Sequence, residues 1–187
     1  VGSGAIRVLA SETKLPIEVV PQTGEQIPFA AEYFDAIHAR QVLHHASDLD
    51  AMSREIARVL RSGGLLLSTR EHVADDEQQL AAFRDSHPLH RFYGGENAYP
   101  LARYLAVFAN AGLQVLAVWG PLQSILNFYP GTERERQVSL RNVANHSYLR
   151  LGRLLAWSGS FREAQVRRHT QRDRLPGRIY SFLIQKP

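Results

Sequence analysis

The stretch from Phe34 to Thr69 constrains this chain more than any other. Phe34-Asp35-Ala36-Ile37-His38-Ala39 reads as a buried strand, and Leu65-Leu66-Leu67-Ser68-Thr69 as another. Between them, Leu49, Met52, Ile56, Val59 and Leu60 recur at helical spacing behind the capping residues Ser47 and Asp48. That spacing predicts a helix from about Asp48 to Arg61. Ser62-Gly63-Gly64 ends it, because glycine accepts the left-handed conformation of a helix C-cap. Strand, helix and strand with short connections imply a parallel sheet with crossover helices, so the fold class is α/β.

The flanks extend this pattern. Ile17-Glu18-Val19-Val20 is a β-branched run stopped by Pro21, which reads as a preceding strand. Asp75 to Ser86 reads as a helix with Leu80 and Phe83 inward, broken at His87-Pro88. Pro100 opens a helix carrying Leu101, Tyr104, Leu105 and Phe108, which Asn110-Ala111-Gly112 closes. Leu113 to Val118 and Ile179 to Ile184 read as strands. Helices are expected between them, over Glu133 to Ser147 and from Tyr148 to about His169. Such a terminal strand pair makes an antiparallel edge. The expected organisation is one domain over residues 1–187, with a helical basic insertion at 121–177.

With 44% hydrophobic and 21% charged residues, the chain can bury a core and is not a disordered tail. No apolar run approaches membrane-spanning length. The absence of cysteine excludes disulfides, thiolate metal sites and a cysteine nucleophile. The net charge of +4 is uneven: 11 arginines face four acidic residues between Glu133 and Arg178. Leu151, Leu154, Leu155, Trp157 and Phe161 precede Arg162, Arg167, Arg168, His169, Arg172, Arg174 and Arg178. This resembles an amphipathic surface helix running into a basic tail, suited to a membrane surface or another anionic partner. An exposed arginine-rich helix with no partner is the alternative. Nucleic acid is disfavoured, since aromatic residues are not interleaved with the basic ones. No charged-then-apolar leader is visible at the amino terminus. A cytoplasmic enzyme, peripheral to the membrane if the basic arm engages one, is the expected location.

The run FDAIHARQVLHHASDLDAMSREIARVLRSGGLLLST resembles the class I methyltransferases that use S-adenosylmethionine, in their ubiquinone/menaquinone-methyltransferase-like branch. Phe34-Asp35, Val42-Leu43-His44-His45, Asp48, Arg54-Glu55-Ile56, Arg58-Val59-Leu60 and Gly63-Gly64 match that family's pattern in order and spacing. Ser62 departs from its usual proline. Gly24-Glu25-Gln26-Ile27-Pro28-Phe29 resembles the loop before it, so the likeness covers Ile17 to Thr69. Further on, EHV and HPLHRFYGGENAYPLARYLAVFANAGLQV resemble a bacterial branch often found beside polysaccharide-assembly genes.

The resemblance implies a Rossmann-like, mostly parallel sheet with an antiparallel last strand. It also implies methyl transfer from S-adenosylmethionine to a small-molecule or saccharide hydroxyl. Carried over, the cofactor residues are Gly2 and Gly4 in a glycine turn, Thr23, Gly24, Glu25 and Gln26 after the third strand, and Arg40, Gln41 and Val42 after the fourth. In open parallel sheets ligands sit beyond the carboxyl ends of the strands. Thr23 stands where the family usually has an aspartate, so a charged partner for adenine is lost. Only twelve residues, Ala5 to Pro16, separate the glycines from the third strand, where a strand-and-crossover unit takes roughly 30. Joined segments, a shortened chain and a degenerate relative without cofactor all remain open. His45 and His90 are the expected catalytic bases, since histidine titrates near neutral pH. His44, His87, Tyr93 and Glu96 are the expected substrate contacts, within a lid hinged at Gly94-Gly95. Glu71, His72, His87 and His90 lack a settled ligand geometry, so no metal is expected. The competing function is a non-catalytic binding or scaffold module. An RNA methyltransferase is a third reading, although the Asn-Pro-Pro-aromatic signature of amino-methylating nucleic-acid enzymes is absent.

Overall fold

The computed structural model describes residues 2–93, 95–146 and 158–187, apart from the side chains of residues 2, 3, 5, 93 and 144–146. Four strands, β1 (Phe34–Arg40), β2 (Leu60–Val73), β3 (Gln114–Trp119) and β4 (Arg178–Gln185), form one sheet in the order β1-β2-β4-β3. β1 and β2 pair in parallel, and β4 is antiparallel to both β2 and β3, so the first three strands share one direction. The architecture is Rossmann-like α/β with an antiparallel last strand. That strand lies inside the sheet, and β1 and β3 are its two edges among the described residues.

The helices are α1 (Gly2–Thr13), α2 (Leu49–Val59), α3 (Glu77–Ser86), α4 (Pro88–Tyr93), α5 (Leu101–Asn110), α6 (Ile125–Phe128), α7 (Glu133–His146) and α8 (Gly159–Arg172). The last three lie between β3 and β4. The helix expected from Tyr148 to about His169 falls in part on residues 147–157, which lie outside the described residues, as do Leu151, Leu154, Leu155 and Trp157. Among the described residues, Ser158 caps α8, which runs from Gly159 to Arg172.

Local chemistry accounts for these elements. The Asp48 carboxylate accepts the Ala51 N–H at 2.9 Å and caps α2. Leu49, Met52, Ile56 and Val59 are buried, while Arg54 on the opposite face is exposed. On β4, successive side chains point to opposite faces. Phe182 stacks against Tyr104 and Phe108 of α5, with ring centroids 5.5 and 5.6 Å away. Ser181 donates instead to the Asn127 amide oxygen of α6. The core therefore sits between the sheet and the α2–α5 layer, with α6 covering the other face.

Two early expectations fail. Ile17 to Val20 forms no strand, and Ile17 and Val20 are exposed. A strand needs a neighbour, and among the described residues no strand pairs with this segment; there β1 pairs with β2 alone. Gly2 and Gly4 lie in α1 rather than in a turn after a strand. A Cβ at Gly4 would meet nothing within 4 Å, so no close backbone approach requires glycine there.

The Gly24–Phe29 loop is fastened to α2 by two charged residues. Glu55 accepts the Ile27 N–H at 3.0 Å, and Arg58 donates to the carbonyls of Ile27 and Phe29 at 2.8 Å each while bonding Glu55. The Arg58 guanidinium and the Ile27 amide hold the Glu55 carboxyl down at about 2, from an ordinary 4.5. A depressed carboxyl stabilises the fold fully above its unfolded value, and that contribution is lost as pH falls through the folded one. Between pH 4.5 and 2 the protein should therefore lose stability, by about 1 kcal/mol after solvent screening. Glu55→Gln should flatten this limb in acid-melting curves; an unchanged slope would refute the assignment.

Candidate active site

Polar side chains converge at the carboxyl ends of β1 and β2, the open edge of the sheet. β2 pairs irregularly with β4 between Ser68 and Glu71, where Arg70 adopts φ +64°. Such a bulge re-aims the residues after it. Glu71, fully buried, lies against Ser68 and accepts its hydroxyl at 3.1 Å. It also accepts the backbone N–H of Val42 at 3.2 Å, that of His44 at 3.1 Å, and the His44 Nδ1–H at 2.7 Å. One carboxylate thus shapes the loop after β1, whose Leu43–His45 turn is a single 3-10 turn.

His44 was expected to touch substrate, but it is 1% exposed and committed to Glu71. Glu96, expected as another substrate contact, is also buried, with a carboxylate oxygen 3.6 Å from His44 Nε2. Both are withdrawn as direct contacts. Each hangs on a backbone that the core places behind the surface. Glu96 is held there by Arg84 of α3, which donates to the Glu96 carbonyl at 3.2 Å and to the Asn97 side-chain oxygen at 3.1 Å. Nearby, Ala74 N–H donates to the Tyr99 carbonyl.

His45 is the accessible member of the pair, with its side chain 44% exposed. Its Nδ1 bonds the Gly95 carbonyl at 3.1 Å, and its Nε2 lies 3.9 Å from Glu96. His87, half-buried, places Nδ1 3.9 Å from the other Glu96 oxygen. His90 stands on α4 with its buried Nδ1 unpartnered, and no ion pair or ring contact joins it to the His44–Glu96 group. The side chain of Tyr93, and all of Gly94, lie outside the described residues.

His72, passed over as a site residue, is buried beside His44 at a ring-centroid distance of 4.9 Å. Burial pushes its imidazole below the ordinary value, against a partly compensating bond from Nδ1 to the Gly177 carbonyl at 2.9 Å. Gly177 adopts φ +71°, and a Cβ there would come 2.1 Å from the Phe83 ring, so only glycine presents that carbonyl without strain. The signal for Glu71 and His72 was in the sequence: an apolar strand that continues into Thr69-Arg70-Glu71-His72 buries polar groups that need partners.

Among the expected cofactor residues, Glu25 accepts the Ser47 N–H at 2.8 Å and that of Asp48 at 3.4 Å. Slight burial opposes ionisation, but these amides prevail and hold its carboxyl below the ordinary value. It orients the start of α2 and is a positioning group rather than a ligand. A Cβ at Gly24 would fall 1.8 Å from the Met52 methyl, so helix packing explains that glycine. Thr23 and Gln26 lie in the same turn. Gln41 takes φ +52° and its N–H bonds the Thr69 carbonyl, while Val42 is exposed. Arg40 turns to Tyr129, its guanidinium 5.8 Å from the ring centroid, and Arg70 lies 5.6 Å from the same ring.

In the basic segment, Arg167, Arg168, Arg172 and Arg174 are exposed, but Arg178 is buried in β4 and pairs with Asp75 at 2.6 Å. It therefore belongs to the sheet. No helix among the described residues is long and apolar enough to cross a membrane.

The methyltransferase domain family matches residues 4–68. Over 61 residues the chain is 39% identical to the Bacillus subtilis protein named uncharacterized methyltransferase YcgJ, covering 33% of this chain and 24% of that one. Over 59 residues it is 34% identical to a ubiquinone biosynthesis O-methyltransferase of a Methylobacterium species, covering 32% and 24%. These alignments span about a quarter of the curated relatives. The crystal structure of YcgJ superimposes with a TM-score of 0.54 at 23% identity, over 96% of this chain and 74% of that one. That of the [4+2]-cyclase SpnF gives 0.57 at 21%, over 96% and 61%. At these identities the structures speak for the fold alone. The strand order, the turn built around Val42–His45 and the named sequence relatives agree: residues 4–68 are similar to the methyltransferase domain family, and the chain shares the fold of the solved YcgJ structure.

Proposed function

We propose that this protein moves a methyl group from S-adenosylmethionine to a hydroxyl of a small molecule or saccharide, at the carboxyl ends of β1 and β2. The observation that carries the reading is His45: accessible, anchored through Nδ1, and held at the open edge of the sheet beside buried Glu96. With Nδ1–H donated to Gly95, Nε2 keeps its lone pair and can take the proton that a hydroxyl must lose. A relative that is named an O-methyltransferase favours the same acceptor chemistry.

The described residues fit one wall of a cofactor cleft. Val42 offers an exposed apolar face, and Gln41, Thr23 and Gln26 offer polar groups. Gly2 and Gly4 are helical and form no glycine turn for the other wall. S-adenosylmethionine, when bound, supplies an electrophilic methyl group. Gly2 and Gly4 being helical, together with Thr23 in place of aspartate, favours a second reading, a binding module that holds an anionic partner or membrane surface through Arg167, Arg168 and Arg172. Calorimetric titration of the full chain with S-adenosylmethionine separates the two. Binding near the micromolar range is expected, about −8 kcal/mol, followed by label transfer to hydroxylated acceptors. No heat at millimolar ligand would leave the binding-module reading standing.

A further inference from the structure

We propose that His44 Nε2, His72 Nε2 and a Glu96 carboxylate oxygen form a site for a first-row divalent cation such as Zn2+. All three residues are buried, and one ligand atom from each lies within 4.8 Å of the others. The closest measured pair, His44 Nε2 and Glu96 Oε2, is 3.6 Å apart. That is too far for a hydrogen bond, and slightly wider than the roughly 3.3 Å between tetrahedral ligands bound at about 2.05 Å. With the three ligand atoms within 4.8 Å of one another, an inward movement of at most about 1.5 Å would close the set on an ion.

The outer groups prepare both imidazoles for this role. His44 donates Nδ1–H to Glu71, and His72 donates Nδ1–H to the Gly177 carbonyl, so each presents a bare Nε2. Carboxylate–histidine and carbonyl–histidine pairs of this kind orient metal ligands and fix their tautomer. His72 Nε2 is buried with no hydrogen-bond partner. An imidazole so buried ordinarily satisfies both nitrogens, and a cation supplies the missing partner. Without a positive charge, the His44 Nε2 lone pair would face the Glu96 carboxylate in a buried site beside a second carboxylate, Glu71. Two imidazoles and one carboxylate suit Zn2+ and its first-row neighbours better than Mg2+ or Ca2+. The site requires neither methyl transfer nor cofactor.

The full chain, stripped with chelator and titrated with Zn2+, should bind one equivalent. Co2+ should give the intense visible bands of a site with few ligands. Saturating Zn2+ should raise the melting temperature of the wild-type chain by about 5–10 °C, a readout that needs no variant to fold. His72→Gln and Glu96→Gln should each weaken Zn2+ binding more than about 100-fold, while His169→Gln, on exposed α8, should leave it unchanged. Absence of a bound equivalent, an unmoved melting temperature, or wild-type Zn2+ affinity in His72→Gln or Glu96→Gln would overturn the site.

Discussion

Glu71→Ala is expected to lower the melting temperature by about 10 °C, the largest stability loss from any single change at this site. The carboxylate is fully buried and accepts from the Val42 and His44 amides, the His44 ring and the Ser68 hydroxyl. Alanine removes the acceptor and leaves these donors buried and unpaired. Breaking such a charge-assisted network costs about 3–5 kcal/mol, and a chain of this size loses about 2–4 °C per kcal/mol. Glu71→Gln keeps one acceptor but turns an amide NH2 toward donors, so an intermediate loss is expected. The consequences should reach beyond stability, because the same bonds set the turn carrying His44 and His45. A calorimetric melt within 1 °C of wild type would show that the loop is held by other means.

The parts of this molecule that read correctly from sequence are those whose cause is local. The strand Phe34–Arg40, the helix Leu49–Val59 and the strand after it each announce themselves by periodicity and by an adjacent cap or turn. Ile17 to Val20 misleads because β-branching describes what suits a strand, whereas pairing depends on a neighbour elsewhere. The glycines near the start mislead for a related reason: a Gly-x-Gly spacing permits a turn, and helix α1 forms over it. Arg178 was grouped with a basic tail by its neighbours in sequence, yet its β4 position buries it against Asp75.

The chemistry was legible in residue types and illegible in arrangement. Two adjacent histidines suggested a base and a substrate contact. Which one stays accessible follows from Glu71, 27 positions away, pulling the His44 ring inward. The meeting of His44, His72 and Glu96 depends on the bulge at Arg70, on Arg84 pinning the chain at Glu96, and on Gly177 entering from the far end. These are long-range constraints that no spacing rule contains. SpnF makes the complementary point. A protein named as a [4+2]-cyclase shares this architecture, so the reaction must follow from side chains.

His45 carries the proposed proton transfer. His45→Ala should reduce the rate of methyl transfer to a hydroxyl acceptor by about 10²–10⁴-fold, the range that general-base catalysis supplies. Its half-exposed side chain carries little packing, so the variant should fold and melt close to wild type. The affinity for S-adenosylmethionine should hardly move, since the proposed cofactor contacts are Val42, Gln41, Thr23 and Gln26 rather than His45. His45→Gln should retain the bond to the Gly95 carbonyl but remain slow, because an amide cannot accept the proton. A His45→Gln enzyme with normal turnover would reduce His45 to a tether for the Gly95 segment and move the search for a base to His87 and His90. Equal losses in turnover and cofactor affinity would point the same way, since a group acting only on the departing proton has no reason to alter binding of the donor.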